Sequence, residues 1–221
     1  MRILLVHGAA TTSRVWRRFV DVLRDDADAR SDEIVVPDRP QSGDLDTEVA
    51  ALAGLAEDAL VVGVSGGATL GLELAARGVA IRGAVLHEPA AGSLVPGLLA
   101  GVGAALERDG VAGFGNALYG PGWTPSETDA GPATVAREFA MFGAFEPRPL
   151  GVDPSHVLVT TGAGSPPRRH EVAAALRQEL GVRTALVPGG RHAVHLDTAA
   201  AFAAVVMREA RSYRERPPLR R

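Results

Sequence analysis

Six short, almost continuously apolar runs punctuate this 221-residue chain, and apolar residues at helical spacing fill most of the gaps between them. The runs are Arg2–Val6, 33–36, Ala59–Val64, 80–86, 156–161 and Arg183–Val187. A strand that alternates apolar and polar residues keeps one face in water, whereas a strand that is apolar throughout must be covered on both faces. With helices interposed, that requirement predicts an α/β fold: a mostly parallel six-stranded sheet with helices on both faces. The helices are expected near 14–23, 47–57, 68–77, 168–180 and 198–211. Asp46 or Thr47 would cap the second, and Gly78 and Gly181 would stop the third and fourth.

The rhythm breaks once, over residues 89–152, where no strand pattern appears. The first part, 89–106, carries no charge, yet Pro89, Pro96 and several glycines suit a membrane-spanning helix poorly. The insertion holds six of the ten aromatic residues: Phe114, Tyr119, Trp123, Phe139, Phe142 and Phe145. It reads as a helical lid over an apolar pocket, with Trp123 and Phe142 as substrate-binding residues. The length suits one domain spanning 1–221, and the tail 212–221 lacks apolar periodicity and is expected to fray.

Charge and composition narrow the function classes. The 23 basic residues, all arginine, are outnumbered by 26 acidic ones, so no polyanion-binding surface and no nucleic-acid partner are expected. The absence of cysteine removes disulfides, thiolate metal sites and cysteine nucleophiles, and it suits a reducing cytoplasm. The opening apolar run is too short for an export signal, so a cytoplasmic location is expected, away from the membrane. His192 and His195 form a pair without a third ligand at suitable spacing, so neither a metal nor another cofactor is expected. What remains as a partner is a small-molecule substrate.

The strongest chemical signal is Gly63-Val64-Ser65-Gly66-Gly67, placed where the third strand gives way to a helix. A serine lifted on so tight a turn needs small neighbours, and the helix start behind it favours developing negative charge. Directly after the first strand, His7-Gly8-Ala9-Ala10 offers backbone amides to the same sheet edge. A base for Ser65 must come from a loop at that edge. His192, in Pro188-Gly189-Gly190-Arg191-His192 after the last strand, qualifies. His87, His156 and His170 compete for the role, while His195, one helical turn on, is expected to pack or cap.

Together these pieces resemble the α/β-hydrolase superfamily over nearly the full chain: His7-Gly8 with Trp16, Val36-Pro37-Asp38, the Ser65 turn, Leu86-His87-Glu88-Pro89, the insertion, and His192 before the last helix. The resemblance implies the family's sheet without its first two strands, in the spatial order second, first, third, fourth, fifth, sixth for the strands of this chain. It also implies Ser65 as nucleophile, His192 as base, Ala9 and Gly66 as oxyanion-hole amides, and a structural Asp38. One departure stands out. The family usually places its acid after the penultimate strand, and this chain has Gly162-Ala163-Gly164 there. Glu88, at the end of the fourth strand, is the best substitute, since strands pack about 4.8 Å apart and a long side chain there can reach over its neighbour. Alternatively Glu88 caps the lid and Ser65 works with His192 alone. Asp153 precedes its strand and Asp197 lies near the final helix, so both are poor candidates. The expected function is hydrolysis of an ester or thioester with an apolar moiety through an acyl-enzyme. The missing acid keeps two other uses open: a cyclase or lyase on a polyketide-like substrate, and a binding or scaffold protein with weak esterase activity.

Overall fold

The computed structural model describes residues 1–214. Six strands, β1 (Arg2–Val6), β2 (Glu33–Val35), β3 (Ala59–Val64), β4 (Gly83–His87), β5 (Val157–Gly162) and β6 (Arg183–Val187), form one sheet in the order β2-β1-β3-β4-β5-β6. Every neighbouring pair is parallel. This is the order the resemblance implied. β3, β4 and β5 are buried along their whole length and β1 from Ile3 onward, as continuous apolar runs require. The edges are wetter: β2 is only partly covered, and β6 alternates between partly buried and exposed positions until Val187.

Side chains alternate across the sheet and split the core in two. Ile3, Leu5, Leu60, Val62 and Val85 face α1 (Arg17–Asp25) and the C-terminal helices, where Trp16, Phe19, Phe202 and Val206 meet them. Leu4, Val6, Val61 and Leu86 face α2 (Leu45–Ala56) and α3 (Gly66–Ala76), with Leu52, Leu70 and Leu74. Between β4 and β5 lie α4 (Ala100–Tyr119), broken at Gly110 by φ 62°, and α5 (Pro132–Gly143). Next come α6 (Pro167–Leu180), the short α7 (Val194–Asp197) and α8 (Ala199–Arg214).

Two local expectations change. The cap of α2 is Asp44, not Asp46 or Thr47: its carboxylate accepts from the Thr47 N–H at 2.8 Å and the Thr47 hydroxyl at 2.7 Å. The chain also stays helical past 212. Tyr213 is 1% exposed and its hydroxyl donates to the His156 carbonyl at 2.9 Å, while Arg214 pairs with Asp32. A buried ring with a satisfied hydroxyl anchors this turn, which the absence of apolar periodicity had hidden. The remainder of the expected frayed tail, 215–221, lies outside the described residues.

Candidate active site

Ser65 stands between β3 and α3 with φ 58° and ψ −122°, a backbone conformation costly for a residue with a side chain. Its N–H donates to the His87 carbonyl at 2.9 Å, and its carbonyl accepts from the Thr69 N–H at 3.0 Å. The flanking glycines are steric necessities. A Cβ on Gly67 would strike the Val6 carbonyl, and one on Gly63 would lie 2.6 Å from the Ala68 nitrogen. Helix α3 can therefore approach β1 and β3 closely enough to present the serine above the sheet edge.

His192, in the loop after β6, is 8% exposed, and its Nδ1 lies 2.7 Å from Glu88 Oε2. The other ring nitrogen, Nε2, is buried and has no hydrogen-bond partner among the described residues. Glu88 follows β4 at φ 50°. Its other oxygen accepts from the Gly162 N–H at 3.1 Å and the Ser165 hydroxyl at 2.5 Å, so the carboxylate spans the end of β5. Gly164 contributes nothing to that contact: the atoms nearest a Cβ built there are the Gly190 carbonyl oxygen at 3.4 Å and the Arg191 side chain at 3.6 Å. Burial alone would push Glu88 up, but the His192 hydrogen bond and the charges of His192, His87 and Arg169 hold it well below the usual carboxylate range. Burial, helped by the Arg169 charge and opposed by Glu88, holds His192 below its ordinary value.

The competing histidines are otherwise engaged. His87 lies with Nδ1 3.0 Å from the Thr160 hydroxyl and Nε2 2.9 Å from the Arg191 carbonyl, and burial lowers it to about 4. His195 packs against Trp16 with ring centroids 4.8 Å apart. His170 Nε2 is 3.2 Å from the Ser165 carbonyl, and the His156 ring lies beside Tyr213. Asp153 caps the turn before β5 by accepting from the Ser155 N–H, and Asp38 accepts from the Ser13 N–H at 2.6 Å. Asp197 borders the cavity beside His192, and its carboxylate is raised, chiefly by burial.

Ala9 sits beside Ser65 and Gly66 on the cavity wall. The Gly8 carbonyl accepts from Arg39 Nη2 and from the Thr11 hydroxyl, both at 2.9 Å. In a trans peptide this turns the following Ala9 N–H to the opposite side. Sequence reasoning missed Arg39 entirely. Its guanidinium is fully buried and pairs with Glu48 at 2.6 Å and Glu138 at 2.5 Å, while Nε donates to the His7 carbonyl. Glu138 belongs to α5 and also accepts from the Ala10 N–H at 3.3 Å, which ties the insertion to this loop. A signal was present: Glu48 and Glu138 fall on the buried faces of their helices, where a carboxylate needs a cation.

Of the two expected substrate contacts, Phe142 lies over Gly66 and lines a cavity of about 30 Å³ with Phe114, Phe139 and Ser65. Trp123 does not line it, which corrects that expectation. Its ring covers Gly115, and its buried N–H donates to the Ala10 carbonyl at 3.0 Å. Tyr119 does the same for the Ala9 carbonyl at 2.8 Å, with its hydroxyl beside those of Ser65 and Thr11. A larger cavity of about 350 Å³ opens beside His192, Tyr119 and Arg169, and the two share Glu88, Leu118 and Arg169. Among the described residues no metal-binding cluster forms, and no helix is long and apolar enough to cross a membrane.

A family model described as "Alpha/beta hydrolase family" matches residues 3–205. Similar solved structures include an enol-lactonase from Burkholderia xenovorans LB400 (TM-score 0.70, 18% identity, covering 95% of this chain and 91% of that one). A thermophilic esterase from Thermogutta terrifontis gives TM-score 0.69 at 18% identity, over 96% of this chain and 90% of that one. MenH from S. aureus gives TM-score 0.72 at 13% identity, over 97% and 95%. At these identities the likeness shows the shared fold. No curated protein matches the sequence.

Proposed function

The chain belongs to the alpha/beta hydrolase family, and from that premise we propose that it cleaves a carboxylic ester or thioester through an acyl-enzyme on Ser65. The observation that carries this reading is the 2.7 Å contact between Glu88 and His192 Nδ1, with Nε2 buried and without a hydrogen-bond partner among the described residues. Ser65 Oγ attacks the carbonyl carbon while His192 Nε2 takes its proton, and Glu88 stabilises the imidazolium that forms. The Ala9 and Gly66 N–H groups receive the oxyanion. Collapse expels the alcohol or thiol, which takes the proton back from Nε2 and leaves the acyl group on Ser65. Water then attacks the acyl carbon, gives its proton to His192, and the acid departs as Ser65 regains that proton.

Among the described residues Nε2 makes no hydrogen bond to Ser65, and catalytic contacts of this kind tighten when substrate binds. Residues 89–152 act as the lid, and their apolar wall of Phe114, Phe139 and Phe142 supports an apolar acyl group. A cytoplasmic location rests on the cysteine-free composition. The cyclase, lyase and scaffold uses drew on a missing carboxylate, a ground that Glu88 weakens.

The test is Ser65→Ala on short p-nitrophenyl esters, with a fluorophosphonate probe on the wild type. Loss of turnover in a folded variant, and labelling of Ser65 in the wild type, are expected. Unchanged turnover in Ser65→Ala would end the assignment.

A further inference from the structure

Arg169 stands in the first turn of α6, a poor place for a cation, because the free N–H groups of a helix start already carry partial positive charge. Arg168 repeats the fault, and no acidic residue occupies that turn to offset either. The Arg169 side chain is only 11% exposed, yet it lines both cavities, beside Ser65 in the smaller and beside His192 in the larger. Its nearest carboxylate oxygen, on Glu88, is 3.5 Å from Nε, and Glu88 already accepts from His192, Gly162 and Ser165. Among the described residues Nη1 reaches only the Glu88 carbonyl, also at 3.5 Å. Burial draws Arg169 below its ordinary value even though the Glu88 charge raises it, so pairing does not make good the desolvation. A guanidinium carries five donors in a planar fork suited to a carboxylate. Held short of acceptors in a cavity wall, it keeps donors free for an anion.

The position of the larger cavity says which half of the substrate brings that anion. His192 lines it, and in the proposed reaction His192 returns a proton to the leaving oxygen, so the alcohol half departs on this side. Arg168 and Arg191 line the same space, where the carboxylates are Asp197 and the committed Glu88. The cavity at Ser65, about 30 Å³, leaves room for a small acyl group.

We propose that Arg169, with Arg168 and Arg191 around it, binds a carboxylate on the alcohol half of the substrate, so that the enzyme acts on short-acyl esters of acidic alcohols. This rests on the serine-hydrolase reading above.

The experiment compares 3-acetoxybenzoate with its neutral analogue 3-acetoxybenzamide as substrates of the wild type, Arg169→Gln and Arg168→Gln. The wild type is expected to favour the benzoate by roughly tenfold or more in kcat/KM, carried by KM. Arg169→Gln should bring the ratio to about one. Damage transmitted through Glu88 would slow both substrates alike and cancel in that ratio. Arg168→Gln, at an exposed position, should reduce the preference in part. Equal kcat/KM for both esters in the wild type, or a preference that survives Arg169→Gln, overturns the anion site and leaves the hydrolase reading standing. A wild type that cleaves p-nitrophenyl acetate but neither of these esters overturns the anion site alone, and one that cleaves none of the three overturns both.

Discussion

Glu88 owes its reach to its backbone as much as to its side chain: φ 50° turns it over the end of β5, where Gly162 and Ser165 donate to one oxygen and His192 to the other. Glu88→Gln keeps that shape and removes the charge. The turnover of p-nitrophenyl esters should fall roughly hundredfold to ten-thousandfold, as when a triad acid becomes its amide. The pH profile carries a second signature. His192 must be neutral to act as base, and burial and Arg169 hold it below 6.5, so kcat/KM should rise with pH along a limb centred below 6.5. Glu88 is the group that raises His192, so its loss should move that limb to still lower pH. A limb that moves upward, or a rate that does not change, would contradict the role given to Glu88.

At the scale of elements, the closest packing lies where α3 meets β1 and β3, and it sets how high Ser65 stands. Gly67→Ala would drive a methyl group into the Val6 carbonyl, and backbone cannot swing aside as a side chain can. A loss of roughly 1–3 kcal/mol is expected from the urea midpoint, with turnover lowered as Ser65 shifts. Gly54 offers the control. It lies inside α2, is exposed, and has no atom within 4 Å of a built Cβ, so Gly54→Ala should stabilise by about 0.5–1 kcal/mol. Equal effects from the two substitutions would refute the steric account of the turn. The insertion couples to the same edge of the sheet by other means. Tyr119 and Trp123 hold the Ala9 and Ala10 carbonyls, and Glu138 of α5 holds Arg39.

Across the whole molecule, buried neutral histidines make the fold sensitive to acid. Burial lowers His87 to about 4 and His195 to about 3, whereas the unfolded chain protonates them near 6.5. Below 6.5 the unfolded state therefore binds protons that the folded state refuses, and stability falls as pH drops towards those folded values. Each group contributes a slope of about 1.4 kcal/mol per pH unit within its window. Glu88, held below its ordinary 4.5, adds to the loss at lower pH because its stabilisation vanishes as it takes a proton. Urea midpoints at pH 7, 6 and 5 should decline in step, and a flat series would refute the burial of neutral imidazole. The sequence by itself determined the parallel sheet, the strand ranges to within about three residues and the serine turn, because apolar run length and the need for small neighbours are local and leave local marks. Which polar groups meet was decided by the tertiary structure alone. Glu88 and His192 are 104 residues apart, and Arg39 and Glu138 are 99 apart. A buried charge requires a partner but does not say where along the chain it lies. Trp123 shows the same limit: its aromatic character predicted burial, and only packing decided that it would hold a backbone carbonyl instead of facing the cavity.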